Sequence, residues 1–313
     1  MQSISRFSLL CAIIFMVPFF SHGAELTLEL SPQYPQANQE YTIALKPSGI
    51  NAQLIRWFIN GTEDFTSKNK NDIKHTAGDI GTQTIIKASV TLQDGSVVEA
   101  FRTIAANRVD LLIDAETLTP PFYKGKTLPS SGSEVKVTAL VFTKERSPES
   151  SYSYLWKING SVQNGGAVKG GNVLSFVPSF DTSTLISVNV LNTNGQVIAS
   201  KSETLPIAEP ELLFYEKNPL RGMSFVSMSN PYIFIGDEIQ IRAEGYYMNT
   251  ALAGSNILRE WKINGTVVEN DPQNPQEISL QKEGTSGGSQ VSFHIRNLQQ
   301  LLQGVQDSIT IQY

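Results

Sequence analysis

Cysteine is nearly absent. The chain has one, Cys11, and it lies in an N-terminal stretch that reads as removable. A mature protein without thiols has no disulfide and no Cys-His catalytic pair, so its cores are expected to hold by packing alone. Histidine is almost as scarce: beyond His22 only His75 and His294 remain. They are expected in different domains, which leaves little material for a His-containing zinc site or a serine triad. His294 alternates with Phe293 and Ile295 and reads as a solvent-facing strand residue. His75 has no patterned neighbours and receives no role.

Charge is also sparse. Only 17% of residues are charged and the formal net charge is −5, with no concentrated basic face of the kind a nucleic-acid partner requires. No polybasic or amphipathic membrane stretch is present, and no Asp-x-Asp-x-Asp-Gly calcium loop. The apolar run Phe7–Phe20 is too short to span a bilayer as a helix. With Arg6 before it and Ser21-His22-Gly23 after it, the run has the form of a secretory signal over 1–23, cleaved before Ala24. No small residue precedes Cys11 directly, and Cys11 lies inside the run, which argues against a lipoprotein signal. Cleavage would leave 23 basic against 29 acidic residues, a formal charge of −6. Exported and cysteine-free is a combination commoner in bacteria than in eukaryotic secretion.

What the chain does contain is one motif three times: Arg56-Trp57-Phe58-Ile59-Asn60-Gly61-Thr62, Leu155-Trp156-Lys157-Ile158-Asn159-Gly160-Ser161 and Glu260-Trp261-Lys262-Ile263-Asn264-Gly265-Thr266. These use all three tryptophans, separated by 99 and 105 residues, about the length of one small β-sandwich. In a strand, the Trp and the Ile two residues on share a face. Asn-Gly then supplies the two positive-φ residues of a tight hairpin. Each indole buries roughly 150–250 Å², on the order of several kcal/mol at about 25 cal/mol per Å², so Trp57, Trp156 and Trp261 are expected as core centres. Each Asn-Gly also completes an N-x-[ST] glycosylation pattern; hairpin geometry alone accounts for both recurring residues.

The flanking pattern repeats as well. In each copy a Pro-containing break separates two alternating strands, as where an edge strand kinks or changes sheets. Glu40, Glu134 or Glu238 precedes the second strand, and a hairpin closes the unit. Asn218 through Pro231 reads as a long irregular segment, and Leu298, Leu301 and Leu302 have the spacing of a short helical turn.

This pattern resembles the tandem immunoglobulin-like and PKD-like domains of bacterial exported proteins. It lacks the inter-sheet cysteine pair of antibody domains and the Asp-rich turn of typical PKD repeats. The resemblance implies an all-β chain of three sandwiches over 24–107, 108–207 and 208–313, joined in an extended arrangement by the short linkers Ala106-Asn107-Arg108 and Pro206–Pro210. The function it suggests is non-enzymatic: a spacer or adhesin-like structural and interaction protein that is periplasmic, at the cell surface or extracellular. Its partners would be envelope or surface proteins or glycans. No catalytic residue, metal ligand or cofactor is expected, and no membrane insertion after cleavage. No sorting motif follows Tyr313, so surface retention would rest on an uncleaved signal or a partner.

Two alternatives stay open. Aromatics beside prolines, Phe122 and Tyr123 after Pro120-Pro121, and Tyr232 and Phe234 after Pro231, would anchor a glycan or peptide if they faced solvent. Paired acids at domain edges, Asp114 with Glu116, Glu209 with Glu211 or Asp237 with Glu238, would serve a glycosidase if they faced across a cleft. Asp110, Asp114 or Glu209 could hold calcium between domains.

Overall fold

The computed structural model describes residues 26–46, 51–145, 147–179, 181–249, 257–269, 271–298 and 303–313. The signal segment and residues 299–302 of the expected helical turn lie outside these. Strand is the dominant regular structure of the described residues; their helical content is two short turns, Phe65–Ser67 and Glu149–Ser151. No helix among them is long and apolar enough to cross a membrane.

The strands form six sheets, two per motif copy. Around Trp57, Thr27–Ser31, Glu40–Lys46 and Asp72–Thr76 form one sheet, and Thr62–Glu63, Ala52–Ile59, Gln83–Leu92 and Val97–Ala105 the other. The order recurs around Trp156, with Arg108–Ala115, Val135–Phe142 and Val173–Phe176 facing Ser161–Val162, Ser153–Ile158, Ser183–Leu191 and Val197–Pro206. It recurs again around Trp261, with Glu211–Asn218, Glu238–Tyr246 and Glu277–Gln281 facing Thr266–Val268, Ile257–Ile263, Gly288–Asn297 and Gly304–Gln312. The three copies therefore share an immunoglobulin-like strand order, two sheets of mainly antiparallel strands packed face to face.

The motif residues recur at equivalent places in atomic detail. Trp57, Trp156 and Trp261 are 0%, 1% and 0% exposed. Each indole N–H donates to a backbone carbonyl two residues before the last strand of the opposite sheet: Lys70 O at 2.9 Å, Gly171 O at 2.8 Å and Pro275 O at 3.2 Å. The Trp thus fills the core and also fastens one sheet to the other. A buried indole N–H without such a partner would be costly.

The Asn-Gly pairs are type I′ turns, with φ of 49°, 47° and 50° at Asn60, Asn159 and Asn264 and 83°, 82° and 82° at the glycines. The asparagines do more than turn. Asn60 N donates to Ile85 O, and Asn60 Oδ1 accepts from Ile85 N, both at 2.8 Å. Asn159 makes the same pair of bonds with Leu185 and Asn264 with Gln290. The side chain continues the ladder to the neighbouring strand for one more step, so Asn is needed at the turn and not merely tolerated.

The Pro-containing breaks carry the chain toward the second sheet of each sandwich. After them Gln36 bridges Asn107, Ser130 bridges Ala208 and Tyr232–Ile233 pairs with Ile311–Gln312, each in parallel. Part of the segment anticipated as irregular, Gly222–Ser227, is a strand that pairs with Glu211–Asn218 at the sheet edge. Asn218 Oδ1 accepts from the N–H groups of Leu220 and Arg221, and Gly222 adopts φ of 79°, which closes a tight turn.

The chain divides into two compact units. One comprises Tyr41–His75, Thr84–Thr103 and the described residues up to Gln33; the other comprises Tyr34–Glu40, Thr76–Gln83 and everything from Ile104 to Tyr313. The second unit thus contains two complete sandwiches, whose separate cores centre on Trp156 and Trp261.

Replacing Trp156 by Ala should destabilise the second unit by about 3–5 kcal/mol, read from urea unfolding. A loss below about 1 kcal/mol would show that the indole is not the core centre. Asn159→Ala, which removes the ladder extension and leaves a Cβ residue at positive φ, should cost about 2 kcal/mol in the same assay.

Candidate functional site

Within the second unit, the two sandwiches meet through a continuous set of hydrogen bonds. Leu118 N donates to Met248 O at 2.6 Å and Tyr247 N to Leu118 O at 2.8 Å. Ala208 N donates to Pro129 O at 2.7 Å. The fully buried Gln303 donates from Nε2 to Ser131 O at 2.6 Å and accepts Asn249 N on Oε1 at 2.7 Å. The linker Pro206–Pro210 is therefore only one of several strands of connection.

These bonds hold the loop that follows Thr117 against the outer face of the third sandwich's Glu211–Asn218, Glu238–Tyr246 and Glu277–Gln281 sheet. Alternation sends Leu212, Phe214, Ile239, Ile241 and Ala243 inward to the core. It sends Tyr215, Lys217, Arg242, Glu244, Tyr246 and Glu277 outward, where an exposed face would be expected. Yet Tyr215, Glu244, Tyr246 and Glu277 are buried, because the loop and the edge strand Gly222–Ser227 flank them.

Phe122 packs edge-on to Tyr215 with ring centroids 5.2 Å apart and lies 5.5 Å from Phe225. Tyr123 packs edge-on to Tyr246 at 5.3 Å, and its hydroxyl lies 2.8 Å from that of Tyr247. The Tyr215 and Tyr246 hydroxyls are 2.6 Å apart. Tyr123 folds back so closely over its own loop that a Cβ at Gly125 would overlap its ring, which explains the glycine there. Burial, reinforced by the neighbouring phenol, pushes the Tyr246 hydroxyl well above the usual range. The bond to Tyr123, with burial, takes Tyr247 to about 12. Burial likewise raises Tyr215, so the phenols of Tyr215, Tyr246 and Tyr247 remain protonated at neutral pH.

Beyond the rings lies an ion network. Glu277 accepts from Lys217 Nζ at 2.6 Å and from Arg242 Nη1 at 3.0 Å, while Arg242 Nε donates to Glu244 at 2.5 Å. Burial alone would raise the Glu277 carboxyl, but Lys217 and Arg242 outweigh it and hold the group below the usual range. A glycosidase general acid needs the opposite shift.

The aromatic residues anticipated as anchors separate into two environments. Phe122 and Tyr123 meet Tyr215, Phe225, Tyr246 and Tyr247 around an open cleft. Phe234 is buried in the third core 5.7 Å from Tyr313, and Tyr232 packs against that core with its hydroxyl on the Glu216 carboxylate. The parallel pairing of Tyr232–Ile233 with the last strand draws both inward. Of the acids, Asp110 pairs with Arg108 at 3.2 Å and Glu211 lines the cleft. Among the described residues no group of three His, Cys, Asp or Glu side chains converges as a metal site. His294 is half-buried on its strand opposite Glu260, and its imidazole is shifted down by burial and then by Arg296.

The cleft residues that sequence reasoning missed are Tyr215, Phe225, Tyr246 and Tyr247. One signal was available. In Glu238–Tyr246 the outward positions run Gln240, Arg242, Glu244 and then Tyr246, and an aromatic ending a charged stripe marks the point where that face becomes covered.

The architecture is that of tandem immunoglobulin-like β-sandwich domains. No family model and no curated protein matches the chain. Among solved structures it is similar to the fibronectin(III)-like modules of Clostridium thermocellum CbhA, at 15% identity and TM-score 0.27, over 58% of this chain and 93% of that one. It is similar to the central fibronectin-III array of RIM-binding protein, at 12% identity and TM-score 0.29, over 91% and 95%. A third is a 1.5-MDa bacterial ice-binding adhesin, at 13% identity and TM-score 0.24, over 92% and 96%.

Because Glu277 is depressed in the folded state, its contribution to stability is fully present above its unfolded value of about 4.5 and is lost as pH falls through the lower folded value. Glu277→Gln should cost about 2 kcal/mol at pH 7 and flatten the fall in urea midpoint below pH 4.5. An unchanged acid limb would remove Glu277 as its source.

Proposed function

We propose that this chain is a non-enzymatic structural and interaction protein, exported from a bacterial cell and acting in the envelope or at the surface as a spacer or adhesin-like component. The observation that carries the reading is repetition confined to the scaffold. The Trp-to-carbonyl bond, the Asn ladder extension and the strand order recur three times. Outward residues at matching strand positions do not: Thr27, Glu29 and Ser31 in the first copy correspond to Asp110, Leu112 and Asp114 in the second and Leu213, Tyr215 and Lys217 in the third. A scaffold kept constant while its faces diverge suits modules that set distances and meet different neighbours. The hydrogen-bonded joint of the second unit supports a spacer role, because a joint bonded from several directions resists bending more than a lone linker does.

The secretory reading of residues 1–23 supplies the route out of the cell. Fractionation of the native organism should place the protein in envelope or culture fractions, with a mass that begins at Ala24. Full-length protein confined to the cytosol would contradict the proposal.

A further inference from the structure

The cleft over the third sandwich is more elaborate than a joint requires. Two hollows, of about 590 and 480 Å³, lie side by side, and both are lined by Phe122 and Phe225. Phe225 is 74% exposed, so beyond its contact with Phe122 it presents aromatic surface to solvent. Both volumes fall in the range of small-molecule sites.

The charges narrow the class of ligand. In the larger hollow Lys124 stands against Glu211, and in the smaller one Lys217 and Arg242 stand against Glu244 and Glu277. Each set sums to zero, and the hydroxyls of Tyr215, Tyr246 and Tyr247 are held neutral. Neither an anion nor a cation finds a surplus of opposite charge. A peptide added as a strand would need the free edge of Gly222–Ser227. There Ser224 Oγ already accepts from Val226 N at 3.2 Å and donates to Val226 O at 3.0 Å, which occupies part of that edge. What remains is flat aromatic surface rimmed by neutral hydroxyls and balanced ion pairs. That is the complement of a pyranose ring, with apolar C–H faces and a hydroxyl edge.

We propose that this cleft binds a neutral oligosaccharide, with Phe225 and Phe122 as stacking platforms between two adjoining sugar subsites and Tyr247, Glu211 and Lys124 bonding the hydroxyls. The proposal rests on the reading of the chain as an interaction protein and names the chemistry of one partner.

The test uses the whole mature chain on a printed array of neutral, sialylated, uronic-acid and sulphated oligosaccharides, with native gels containing glucomannan, dextran or hydroxyethylcellulose. The wild type should be retained by neutral glycans. Phe225→Ala should weaken retention about tenfold or more with an unchanged urea midpoint. Tyr247→Phe, which keeps the ring and removes the hydroxyl, should weaken it about threefold or more. Phe101→Ala, which removes an exposed ring of the first sandwich, should change nothing. Retention by no neutral glycan, retention only by acidic ones, or retention that survives both cleft variants overturns the proposal. Cleavage of a retained glycan, or a cytosolic location, would instead defeat the non-enzymatic exported reading and leave the cleft assignment standing.

Discussion

The fold depends on a bond that each tryptophan makes across its sandwich. With no disulfide to join the sheets, the indole does two jobs in each copy: it fills the centre of the core, and its N–H reaches a carbonyl just before the last strand of the facing sheet. Hydrophobic burial alone is non-directional. The N–H bond adds direction, fixing where the last strand of the opposite sheet begins relative to the Trp strand. The Asn-Gly turn at the end of the Trp strand then sets the register with the neighbouring long strand of the same sheet through two bonds of its own. Core position and strand register are thus specified within a few consecutive residues, which is why the motif can be recognised although little else in the three copies is alike.

A cysteine-free sandwich with such an internal fastening is free to vary its outer faces. The third sandwich shows the result. Its first sheet carries rings and ion pairs outward, and the loop after Thr117 comes down over them from the second sandwich. Burying that face without disruption required every charge to be matched. Arg242 serves two carboxylates and Glu277 serves two cations, and the phenol hydroxyls pair with each other. Where the cover stops, at Phe225, the same chemistry opens to solvent as a cleft.

Much of the scaffold was legible in the sequence and little of the site. The Trp-x-Ile-Asn-Gly motif, the alternation and the Pro breaks are local signals, and they lead to double-sheet immunoglobulin-like units, though the strands Asp72–Thr76 and Glu277–Gln281 carried no such signal. The strand Gly222–Ser227 was not legible, because Met223, Phe225 and Val226 lack clean alternation and the pairing is register-shifted. The cleft needs Phe122 and Tyr123 to meet residues about a hundred positions away, a juxtaposition decided by the joint and not by any local pattern. For the same reason four aromatic residues that look alike beside prolines separate in space. Phe122 and Tyr123 follow a loop that crosses to another sandwich, whereas Tyr232 and Phe234 follow one that returns to its own.

The three indole fastenings are equivalent and the protein has only three tryptophans, so each can be observed without interference. In a nitrogen-15 spectrum the three indole N–H signals should exchange with deuterated solvent only through opening of the sandwich that holds each one. Any indole signal that exchanges at the rate of a fraying loop would contradict the claim that the Trp N–H bond is what joins the two sheets.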